Sequence, residues 1–235
     1  MSDFFDGMGR KAADAMAKVK WTYSALAGTE EEARAAEREF GLQMATTFLE
    51  EGGVSLAKEG LAESYWHIGK KLTDCLTDRN RTFEFGCLND PHAQAITFPG
   101  GFVLVSTGLL ELCDGNENAI AGIIGHEMGH VIKNHAFERA MASQVVKLLS
   151  AGSMIGGPVK RTIMGVVSRW LDKGYGDDQE LEADIFAVRI AYSAGFHPAG
   201  LIHFMTGLEE GQFDGPYWAS HPSPQKRVRN LSEAF

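Results

Sequence analysis

Two histidines four residues apart, His126 and His130, lie inside the strongest helix-forming stretch of this chain, and no other feature constrains the fold as tightly. The stretch opens at Asp114-Gly115-Asn116-Glu117, a capping sequence, and continues as AIAGIIGHEMGHVIKNHAFERAMASQVV, which reads as one helix. Four helical residues rise about 6 Å and return to the same face, so both imidazoles can reach one metal ion. Glu127 projects from the adjacent part of that face, where a carboxylate can take a proton from water at the metal. Two histidines do not complete a catalytic zinc site, which usually has three protein ligands and an open position for water. A second element must therefore bring another ligand.

The stretch Glu180-Leu181-Glu182-Ala183-Asp184 offers one at the start of another helix. Glu180 and Asp184 share a helical face and Glu182 is turned away from them, so its charge is expected to act at the surface. Glu180 is assigned to the metal, and Asp184 to holding the remote nitrogen of a ligand histidine. Two other readings stay open: Glu182 as the ligand, or acids serving as charges at a helix N-terminus. Lys133 and Ala136 occupy the positions where a metzincin would carry its glycine and third histidine, so His135 reads as a helix-capping, salt-linked or solvent-facing residue. His92, Cys75, Cys87 and Cys113 show no zinc-ligand spacing.

The remainder reads as an α+β fold, mostly helical around a small sheet. Met8 to Leu26 carries apolar residues near one helical face. Thr29, followed by three glutamates, opens a helix expected to run to about Glu51. Leu56 to Leu76 is a third helical stretch, with Gly69 its weak point. Short β-forming runs follow at Thr82 to Cys87, Ala95 to Phe98 and Phe102 to Ser106, the last two joined by a turn at Pro99-Gly100-Gly101. Leu181 to Ser193 reads as a helix, and the tail as a short amphipathic one. The glycines and proline within residues 148 to 170 suggest either an apolar cover over a substrate groove or a helical pair joined by a loop. No linker divides the chain, so residues 1–235 are expected to form one domain.

Lys plus Arg number 22 against 31 Asp plus Glu, a formal charge of -9 that argues against a general nucleic-acid surface. No stretch reaches the eighteen apolar residues of a membrane span, and the acidic start lacks the basic flank of a secretory signal. The chain as it stands is expected in the cytoplasm, or in the periplasm or at a membrane if a leader or anchor has been removed.

With His126-Glu127-Met128-Gly129-His130, the acidic helix bearing Glu180, Glu182 and Asp184, Asn89-Asp90-Pro91 through Pro99-Gly100-Gly101-Phe102, Gly108-Leu109-Leu110 and Ser220-His221-Pro222, the sequence resembles the M48 zinc metallopeptidases, gluzincins of the HtpX-like, Oma1-like and BepA-like kind. The resemblance covers about residues 80 to 230, with a further match around Glu37 to Gly41. It implies a helical zincin-like domain whose small sheet binds an extended peptide at its edge strand. It carries one zinc ion to His126, His130 and Glu180, the acid or base role to Glu127, support to Asp184, and a place near the reaction centre to His221. An irregular-segment hydrogen bond is the other reading of His221. Gln94 stands where the family has an asparagine, and Gln94, Ala95, Ile96, Thr97 and Phe98 form the expected substrate edge. The implied activity is a zinc-dependent endopeptidase acting on flexible or unfolded polypeptides. The rival is a zinc-dependent protein-binding or chaperone-like module with little turnover.

Overall fold

The computed structural model describes residues 29–57, 60–142, 174–208 and 221–234. The helix expected from Met8 to Leu26 and the region 148 to 170 lie outside them. Thr29 starts α1 (Glu30–Gly52) as the sequence predicts: its hydroxyl accepts from the Glu32 amide at 3.3 Å, while the Glu32 carboxylate accepts from the Thr29 amide at 2.8 Å. Gly53, at φ 64, ends the helix in the left-handed conformation that glycine adopts at least cost.

Helix α2 (Leu61–Asp74) starts five residues later than expected, because Leu56 instead bridges to Leu88 and Gly60 sits at φ 74. Gly69 is no weakness here: a Cβ would meet the Phe85 ring at 2.8 Å, so the missing side chain lets that ring pack against the helix. The sheet has the order β1-β3-β2, with β1 (Glu84–Leu88) parallel to β3 (Phe102–Ser106) and β2 (Ala95–Phe98) antiparallel to it. Strand alternation sends Ala95, Val103 and Val105 to the larger core, and Ile96, Phe98, Phe102 and Leu104 to a second core with Phe40 and Met44 of α1. Each such buried ring or branched side chain contributes roughly 1.5–3 kcal/mol.

Glycine sets the docking of α1 onto the sheet. A Cβ on Gly41 would stand 1.7 Å from the Pro99 carbonyl oxygen, so only a bare backbone fits over the β2–β3 turn. Glu37, buried in the same helix, accepts from the Gly100 amide at 3.0 Å and from Arg81 at 2.9 Å.

Short helix α3 (Thr107–Leu112) leads to α4 (Glu117–Ile132), which carries the paired histidines and is capped by Asn116. Beyond it the structure corrects the sequence reading. The helix does not continue: Asn134 takes a left-handed φ of 62 and the chain restarts as α5 (His135–Ala142). Helix α6 (Asp177–Ser193) begins four residues earlier than predicted, with the Gly176 amide donating to Gln179. It packs directly on α4, where a Cβ on Gly125 would meet the Ala187 Cα at 3.0 Å and one on Gly129 would meet the Ala183 Cα at 2.9 Å. Helices α7 (Gly200–Gly207) and α8 (Pro224–Ala234) close the body. No helix among the described residues is long and apolar enough to cross a membrane.

Candidate metal centre

Helix α4 presents His126 and His130 on one face, and the close glycine contacts at Ala183 and Ala187 bring α6 against it. Both histidines and Glu180 are almost fully buried. One donor atom each from His126, His130, Glu180 and His221 lies within 4.8 Å of all the others. The Nε2 atoms of His126 and His130 are 3.1 Å apart. Glu180 oxygens stand 3.7 Å and 3.6 Å from those nitrogens. His221 Nδ1 is 3.3 Å from His126 Nε2 and 2.9 Å from Glu180 Oε2.

Donors bound tetrahedrally at about 2.0–2.1 Å would be separated by roughly 3.3–3.5 Å, and the observed spacings bracket that range. The donor chemistry agrees. His126 Nδ1 donates to Asp184 Oδ1 at 2.7 Å, which leaves a lone pair on Nε2 facing the cluster. Three imidazoles and a carboxylate converging in a buried pocket fit a borderline-soft divalent ion such as zinc.

Arg227 of α8 donates to both oxygens of Asp184, at 2.6 Å to the Oδ1 that His126 also meets and at 3.1 Å to Oδ2. Burial pushes the Asp184 carboxyl up, but Arg227 and His126 more than reverse this and hold it well below the usual carboxylate range. Burial likewise opposes ionisation of Glu180, yet His221, His126 and Arg227 leave its pKa below the ordinary value. For His130, burial and the neighbouring His126 and His221 both drive the pKa far down, so the ring stays neutral and free to donate a lone pair.

Glu127 sits in the same pocket, 2% exposed. One carboxylate oxygen accepts from the Thr97 hydroxyl of β2, and the other has no hydrogen-bond partner among the described residues. That second oxygen is 3.8 Å from His221 Nε2. The predicted site residues therefore come together: His126, Glu127, His130, Glu180, Asp184 and His221 form one cluster, and Thr97 joins it to the sheet edge. Ala95, Ile96 and Phe98 line the same strand, buried on its two sides. Gln94 is occupied within its own loop, donating to Asp90 at 2.5 Å. His92 is exposed beside Asp90, and the three cysteines are free and outside the cluster.

Three contributors, Arg227, Tyr175 and Arg139, escaped sequence reading. Arg227 lies in the tail that reads as a short amphipathic helix, with nothing local to point it at the site. Tyr175 stacks on His130 with ring centroids 3.7 Å apart, and the Arg139 guanidinium lies over the tyrosine ring at 3.9 Å; neither residue has a motif around it. Thr97, expected at the substrate edge, also bonds to Glu127, a contact that the sequence does not reveal. Of the readings open for His135, the salt-linked one holds: the ring is buried, and Glu182, turned away from Glu180 as expected, is its partner at 3.1 Å. Asn134, a residue that tolerates the left-handed conformation, was the available signal for that arrangement.

A glutamate-completed HExxH pair on packed helices beside a small mixed sheet defines a metallopeptidase of the gluzincin type. The profile of peptidase family M48 matches residues 67–235, more than half of the chain, and the protein belongs to that family. The matched region begins somewhat before the one legible from motifs. Among curated relatives, the mitochondrial metalloendopeptidase OMA1 of Schizosaccharomyces pombe is 29% identical over 64% of this chain and 46% of its own length. Metalloprotease YcaL of Escherichia coli is 26% identical over 71% of this chain and 66% of its own. The beta-barrel assembly-enhancing protease of Escherichia coli is 24% identical over 75% of this chain and 39% of its own. The match thus spans less than two thirds of the length of each of these relatives.

Proposed function

We propose that this protein is a zinc-dependent endopeptidase that cleaves flexible or unfolded polypeptides lying alongside β2. The observation that carries the reading is Glu127: its unpartnered buried oxygen stands beside a four-donor cluster, the arrangement a water-activating base requires. His126, His130 and Glu180 would hold a single zinc ion, with His221 beside them on the side where substrate would meet Glu127. Zinc, when bound, lowers the pKa of water and polarises the scissile carbonyl. Glu127 takes the water proton and returns it to the departing amine, while Thr97 fixes the carboxylate from its other oxygen. His221, within reach of both Glu127 and Glu180, donates to the oxyanion as charge develops there.

Strand β2 forms one edge of the sheet beside α4, which supports binding of an extended chain by main-chain pairing, with residues 94 to 98 supplying the edge. The three unpaired cysteines support a reducing compartment, consistent with a cytoplasmic setting.

Glu127→Gln tests the function. Metal analysis should find zinc retained in the variant, and mass spectrometry of a panel of unfolded proteins should find cleavage products with the wild type alone. Zinc-loaded wild type that cleaves nothing in the panel, with unfolded protein still bound, would favour the chaperone-like module instead.

A further inference from the structure

His126 and His130 are anchored by different means. His126 has a direct carboxylate, Asp184. No carboxylate contacts the remote nitrogen of His130 among the described residues. Its Nδ1 instead meets Nδ1 of His135 at 3.2 Å, and His135 Nε2 meets Glu182 Oε2 at 3.1 Å. The protons along this chain can be assigned from its outer end. A carboxylate at Glu182 accepts, so His135 carries its proton on Nε2 and offers a lone pair on Nδ1. His130 then donates from Nδ1, and its own lone pair sits on Nε2, the atom that faces His126 and Glu180.

The break after α4 creates the contact. In an uninterrupted helix a residue five positions on is rotated by about 140°, which would have carried His135 away from His130. The left-handed Asn134 redirects the chain so that His135 starts α5 with its ring against His130, centroids 5.3 Å apart. Arg81 holds the break by donating to the Asn134 side chain at 2.6 Å, and Arg81 is itself fixed by Glu37 of α1. The relay is therefore tied to the packing of α1 through two charged groups.

We propose that His135 and Glu182 are positioning residues that set the tautomer and orientation of His130 and so tune the affinity of the metal site. The proposal rests on the metal reading above and adds a role for a third acidic residue on α6, after Glu180 and Asp184. Outer hydrogen-bond partners of ligand histidines typically change metal affinity by about 10- to 100-fold. That range sets the expected effect.

The test is a zinc titration of the full chain against a competing chromophoric chelator, for the wild type, His135→Phe, Glu182→Ala, the double variant and Asp178→Ala. Asp178 is an exposed acid four residues before Glu182 on α6, and its removal controls for loss of charge. His135→Phe and Glu182→Ala should each weaken zinc binding about 10- to 100-fold. The double variant should be no weaker than His135→Phe, because Glu182 acts through His135, and Asp178→Ala should match the wild type. The Glu182 side chain is 54% exposed, so its truncation leaves the core intact and keeps the test open if the phenylalanine variant fails to fold. Nitrogen-15 spectra of the metal-free protein should show His130 protonated on Nδ1 in the wild type and a tautomer mixture in Glu182→Ala, a change that a purely structural role would not produce. Wild-type affinity in Glu182→Ala, or an equal loss in Asp178→Ala, would overturn the relay while leaving the metal site standing. A wild type that binds no zinc would overturn the metal reading itself.

Discussion

Arg227 contributes one of the largest fully buried side chains among the described residues, 1% exposed, and its charge is set against Asp184. Burying an ion pair is close to break-even, but removing one partner strands the other in a medium that solvates it poorly. Arg227→Met, which keeps much of the volume, should therefore cost about 3–5 kcal/mol in urea denaturation of the metal-free protein. A loss below about 1 kcal/mol would mean that Asp184 finds other solvation and that the pair is dispensable. This residue also shows where sequence reading stops. His126, Glu127 and His130 are legible because their chemistry and helical spacing coincide, and Glu180 with Asp184 because a second helix needs acids on one face. Arg227 and Tyr175 act through tertiary approach, with no local periodicity to reveal them.

At the level of elements, the site depends on how closely α4 and α6 approach, and Gly129 decides that distance. Replacing a helical glycine by alanine gains about 1 kcal/mol of helix propensity. A Cβ at position 129 would, however, lie 2.9 Å from the Ala183 Cα and 3.0 Å from its carbonyl oxygen, both backbone atoms of α6. Such overpacking costs about 1–3 kcal/mol and forces the helices apart. Since Gly129 adjoins His130, and Ala183 lies between Glu180 and Asp184, the displacement opens the donor set. Gly129→Ala should lower the melting temperature and weaken zinc retention together; an unchanged or raised melting temperature would show that α6 shifts without cost. Capping, hairpin and strand signals were read correctly from sequence because they are local, as the Thr29 box and the Pro99-Gly100-Gly101 turn show. The helix expected from Asn116 forms as far as Ile132, but its continuation does not, because the break at Asn134 is fixed by Arg81, fifty-three positions away.

At the scale of the molecule, the sheet separates two apolar cores among the described residues, and Cys87 and Cys113 lie buried in the larger one. Burial pushes the Cys87 thiol up to about 11 and that of Cys113 up to about 12, so neither offers thiolate to a reagent near neutral pH in the folded state. Their alkylation requires opening of the core that also holds Ile123, Ile124 and Met128 of the histidine-bearing helix. Cys75, partly exposed at the end of α2, needs no such opening. Under the proposed metal reading, a ligand that binds the folded state alone adds stability of about 4 kcal/mol when present at roughly a thousand times its dissociation constant. Labelling at pH 8 should then proceed at Cys75 at a rate indifferent to zinc. At Cys87 and Cys113 it should slow by up to about a thousandfold on zinc addition and recover with chelator. Site-resolved mass spectrometry over a time course distinguishes the three positions. If Cys87 and Cys113 react as fast as Cys75, the larger core opens locally without unfolding. If they are protected but unresponsive to chelator, the metal does not stabilise the body that holds the histidine helix.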